Sequence, residues 1–87
     1  MNHHVSDWII HERDKQDAKW GANRKLHPLE WNVILGEEVG EVARAILEGG
    51  LDCEDVEHRM RLREELVQVA AVAVAWLEAL YRLETRT

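Results

Sequence analysis

Phenylalanine is missing from this sequence of 87 residues, proline and cysteine occur once each, and bases are outnumbered by acids, 11 to 17. Each shortage excludes something. Cys53 alone cannot form an intrachain disulfide or a cysteine zinc cluster, and it fits a reducing cytoplasm. A net charge of -6 argues against a binder of nucleic acid polymers, which needs surplus Lys and Arg on one face. A small anion held through metal ions stays open. The stretch from Met1 to Asp14 has no cationic start before a long apolar core, so it does not read as a secretory signal. The longest apolar run, Val69 to Leu77, is too short to cross a bilayer. There is no repeat, and no glycine-rich phosphate loop ending in Lys-Ser or Lys-Thr.

What is present reads as one small all-α domain over residues 1–87, with hydrophobic residues at 46% and charged residues at 32%. Residues 5–20 form a first amphipathic segment around Val5, Trp8, Ile9 and Trp20. Residues 21–26 read as a loop, in which Arg24 and Lys25 are solvated cations or phosphate contacts. The spacing predicts a second helix from Pro28, a favoured first-turn residue, to Glu48, stopped by Gly49-Gly50. Trp31, Leu35, Val39, Val42 and Ile46 should share its apolar face. Gly36 and Gly40 inside it either allow a close approach or are simply tolerated. A long third helix should begin after Leu51, capped by Asp52, and run to about Leu83. It is apolar on almost every side from Leu66 to Leu80, so an oligomeric helical bundle, dimeric or tetrameric, is expected.

The informative feature is a set of acids on apolar faces. At about 100° per residue, Glu38 falls among Trp31, Ile34, Val42 and Ala45, with Glu37 and Glu41 beside it. Glu65 falls among Val69, Val72 and Trp76, with Gln68 on the same flank. A buried carboxylate must neutralise or find a partner. Arg44 can reach Glu41 and Arg61 can reach Glu65, which leaves too few cations. Mg²⁺, a hard ion that takes oxygen ligands, would supply the missing charge. The bland alternative is a solvated charge run.

These residues resemble the MazG-like branch of the all-α nucleoside triphosphate pyrophosphohydrolases. The family pattern is E-E-x-x-E on one helix and E-x-x-D on the next. Here the first reads Glu37-Glu38-Val39-Gly40-Glu41, and the second reads Glu65-Leu66-Val67-Gln68. The opening RDKQDAKWG is similar to the start of short MazG-like proteins. The resemblance spans about residues 11–82. It implies hydrolysis of a nucleoside triphosphate to a monophosphate and pyrophosphate, with Mg²⁺ as cofactor and Mn²⁺ as a possible substitute. It implies Glu38, Glu41 and Glu65 as metal ligands and Glu37 as the carboxylate that orients or deprotonates water. Gln16, Lys19 and Trp20 become candidate substrate contacts, Trp20 by stacking on a base or, in the bland reading, by closing the core. Gln68 departs from the family Asp; its amide oxygen can ligate Mg²⁺ but brings no charge.

Other constellations are weaker. Glu54, Asp55 and His58 mimic half of a di-iron motif that has no second copy. His27, before Pro28, reads as a cap or a solvated residue. The rival to an enzyme is a non-catalytic helical module that oligomerises through its last helix.

Overall fold

The computed structural model describes residues 1–50 and 54–86, and every structured element among them is helical. Helix α1 covers His3–Trp20, α2 Pro28–Gly49 and α3 Val56–Thr85. The all-α expectation holds, with adjusted boundaries. Asn2 starts α1 two residues early, its Oδ1 accepting from the N–H groups of His4 (2.9 Å) and Val5 (3.2 Å). His27 caps α2: its Nδ1 accepts from the Leu29 N–H, while Glu30 Oε1 accepts from the His27 N–H, both at 3.0 Å. Gly50, at φ 84°, ends α2 with its N–H on the Ile46 carbonyl. The cap of α3 is Asp55, which accepts from Glu57 and His58. The cap expected at Asp52, the start after Leu51, and Cys53 all lie outside the described residues.

Helix α3 is the centre. Both α1 and α2 pack on it, and they make no close backbone contact with each other. Trp31 of α2, 2% exposed, stacks on Trp76 of α3 with ring centroids 6.4 Å apart and planes 9° apart. Val72 and Ala75 complete this core, with Ile34, Leu35, Leu26 and Ala79 against it. Val39 was expected in the seam and is exposed instead. Each four-residue step from Trp31 through Leu35 advances about 40°, so Val39 has rotated out of the contact. Ala45, about 40° from Trp31 in the other direction, is fully buried.

Polar ties fix the three helices. Arg13 of α1 donates to Glu78 of α3 through Nε (3.2 Å) and Nη2 (3.1 Å). Arg61 of α3 pairs with Glu48 of α2 at 2.9 Å. This corrects the expectation that Arg61 serves Glu65. At the same end His58 is buried against Gly49, where any Cβ would overlap the imidazole. Gly49 is therefore required by packing, while Gly50 terminates the helix.

The chain is elongated. Its extents are 50 × 28 × 22 Å, and its radius of gyration, 14.5 Å, exceeds the roughly 12 Å of a compact chain of this length. It exposes 6510 Å², about 1,200 Å² more than the ~5,300 Å² typical of its mass. On α3, Leu66, Leu77, Leu80 and Leu83 face solvent. By length and composition α3 as a whole is long and apolar enough to cross a membrane, although its longest unbroken apolar run is short. Core helices of soluble proteins meet the same measure.

Candidate functional site

Because α1 and α2 lie on α3 without meeting, a cleft of about 640 Å³ remains between them. Its floor is α3, through Gln68 and Val72. One wall is α2, through Glu30, Ile34, Glu37 and Glu38. The other is α1 and the connector after it, through Glu12, Lys15, Gln16, Lys19, Trp20, Arg24 and Leu26. The sequence-predicted residues Glu37, Glu38, Gln68, Gln16, Lys19 and Trp20 thus share one cavity. Glu41 and Glu65 are half-buried next to it and do not line it.

Glu38 is the most constrained of these groups. One carboxylate oxygen, Oε2, is buried and has no hydrogen-bond partner. Burial pushes its carboxyl above the ordinary carboxylate range, and the negative charges of Glu65, Glu41, Glu12 and Glu37 push it further. Four acids from three helices therefore act on one carboxyl. Several cations near these acids are already paired. Arg44 pairs with Glu41 and Lys15 with Glu12, both at 3.5 Å, and Arg61 has gone to Glu48. Glu37, Glu38 and Glu65 make no ion pair among the described residues.

The acids surround Glu38 without converging. Among the described residues no three His, Cys, Asp or Glu side chains are set as a ready group of metal ligands. Like-charged carboxylates with nothing between them repel, which favours such separation.

The opposite wall is cationic and aromatic. Lys19 Nζ lies 4.5 Å from the Trp20 ring centroid. The Arg24 guanidinium lies 5.6 Å from Trp20 and 5.0 Å from Trp31. Trp20 is 54% exposed, so it borders the cleft and does not close the core. Gln16 is buried, and its amide oxygen accepts from Arg13 Nη1 at 3.3 Å, leaving its amide donors for a ligand.

Glu12 and Lys15 escaped the sequence reading, yet they stand four and one before Gln16 on α1, and Lys19 follows three later, so helical spacing could have placed them together. Arg24, read from the sequence as a solvated cation or a phosphate contact, lines the cleft. His58 is a buried packing residue beside Gly49 with an unpartnered Nδ1, away from this cleft. No protein-family model, curated protein or solved structure matches the chain.

Gln68 gives a direct probe of the acidic wall. Gln68→Asp should tighten Mg²⁺ binding by about tenfold, read by calorimetric titration, because it adds a charge beside Glu38 and Glu65. Unchanged affinity would remove Gln68 from the ligand set.

Proposed function

We propose that the chain is an Mg²⁺-dependent nucleoside triphosphate pyrophosphohydrolase, converting a (deoxy)nucleoside triphosphate and water to a monophosphate and pyrophosphate. The observation that carries this reading is the buried, unpartnered oxygen of Glu38 within an acidic wall that faces cations across the cleft. The all-oxygen donor set and the uncompensated charge fit a hard divalent cation. Glu38, Glu41 and Glu65 would hold it with the Gln68 amide oxygen, and Mn²⁺ would substitute. Bound there, the ion would neutralise the acids and polarise phosphate oxygens.

The chain's own groups do the rest. Glu37 stands one residue from Glu38 on the cleft wall and takes the proton of the attacking water. Water forms the new bond to the α-phosphorus as the bond to the bridging oxygen breaks, and pyrophosphate leaves with the electron pair. Lys19 and the Gln16 amide hold phosphate oxygens, and Trp20, largely exposed, is available to the base. Such a reaction belongs in the cytoplasm, where nucleotides are.

The test is pyrophosphate release from a panel of ribo- and deoxyribonucleoside triphosphates with Mg²⁺, Mn²⁺ or EDTA. Metal-dependent pyrophosphate release with a monophosphate product supports the reading. Orthophosphate release, or no turnover with any nucleotide, overturns it.

We also place a second copy of the chain on the open face of α3, as a homodimer or homotetramer. The surplus exposed area exceeds the roughly 800 Å² per partner of an ordinary stable interface. Light scattering at micromolar concentration should give a mass of two or four chains, and a monomer mass would refute it. The same apolar face favours the second reading, a helical interaction module without catalysis. A module would show no melting shift with Mg²⁺, whereas a metal site would be stabilised by it.

A further inference from the structure

We propose that Arg24 is the anion-binding fork of the cleft, held in place by two tryptophans to receive a polyphosphate. The inference deepens the nucleotide reading and rests on it for the identity of the ligand. Its own basis is how this chain uses its cations. Arg13, Lys15, Arg44 and Arg61 each sit within 3.5 Å of a carboxylate. Arg24 and Lys19 line the cleft and make no such pair among the described residues, although acids outnumber bases in the chain. Their neighbours are aromatic faces instead.

Arg24 is fixed at both ends. Its backbone carbonyl accepts from Arg82 Nη2 of α3 at 3.2 Å. Its guanidinium lies within cation–π range of both Trp20 and Trp31, and Trp31 is itself stacked on Trp76. Contact with a ring face holds the guanidinium while leaving its in-plane N–H donors unspent. A planar fork of donors matches two oxygens of a phosphate, and Lys19 adds a point charge beside it. Facing it is a wall of carboxylates that an anion cannot approach without a cation between. An anion spanning this cleft must therefore carry several charges and a metal ion, which is the chemistry of a metal–polyphosphate. Trp20 and Trp31 are positioning residues in this arrangement, acting through Arg24.

The test uses Mg²⁺-tripolyphosphate as the probe, titrated by calorimetry and by tryptophan emission. Arg24→Met keeps an unbranched apolar stem between the rings and removes the fork. Arg24→Lys keeps the charge and loses the fork. The wild type should bind with a change in emission, Arg24→Met should weaken binding by about tenfold or more, and Arg24→Lys should fall between. Circular dichroism melts check that the variants fold. If Arg24→Met does not fold, Arg24→Lys decides: about threefold weaker binding supports the assignment and equal affinity overturns it. Binding within about twofold in Arg24→Met overturns it, as does wild-type protein that ignores the probe or binds succinate equally well. Binding that needs Arg24 in a protein that cleaves no nucleotide keeps this inference and removes the pyrophosphohydrolase. Nucleotide turnover with an unchanged KM in Arg24→Met does the reverse.

Discussion

Glu38→Gln should raise the melting temperature of the metal-free protein while lowering nucleotide turnover by at least about a thousandfold. The two effects share one cause. Glu38 has a buried oxygen without a partner and four acids acting on it. Its folded-state pKa lies above the ordinary 4.5, so the folded chain holds this proton more tightly than the unfolded chain does. The stability from that proton is complete below about pH 4.5 and is lost as pH rises through the folded-state pKa. At neutral pH the ionised group is a cost. Gln removes the charge, so Tm at pH 7 should rise, and the decline in stability that Glu38 causes as pH rises above about 4.5 should disappear. It should also abolish any stabilisation by Mg²⁺. A fall in Tm at pH 7 without metal would show that Glu38 is a satisfied structural acid, and retained turnover would remove it from the site.

Trp31→Ala should cost about 3–5 kcal/mol, a large share of the stability of a domain this small. Trp31 is the largest side chain in the core, and it joins α2 to α3 through Trp76. No large side chain in the described chain is completely buried, so little else compensates. Thermal circular dichroism should show Tm lower by more than about 10 °C, or no cooperative transition. Trp31→Phe should keep part of the contact. A shift of only a few degrees in Trp31→Ala would mean that the stability lies elsewhere, in contacts on the open face of α3.

The helices were legible because their stops are chemically blunt. Pro28 opens α2 and Gly50, at positive φ, closes it, and both signals are local. The start of α3 was harder: the sequence pointed to Asp52 as the cap, whereas Asp55 caps the helix in the structure. Val39 was misplaced because four-residue steps drift around a helix, whereas Glu38, about 20° from Trp31 on the same wheel, was placed correctly. The acidic wall follows from that periodicity. The cationic wall does not. It exists because α1 and α2 both pack on α3 and leave a cleft between them, an outcome of tertiary packing that no local pattern encodes. For Arg24 the sequence leaves a solvated cation and a phosphate contact both open, and only the fold brings Trp20 and Trp31 to it from two different helices.

The most direct test is product analysis with wild-type protein and Glu38→Gln, each given a deoxynucleoside triphosphate and Mg²⁺. The account predicts monophosphate and pyrophosphate in equal amounts from the wild type, and neither from Glu38→Gln or in EDTA. Orthophosphate as the product, or the same rate from both proteins, would contradict it.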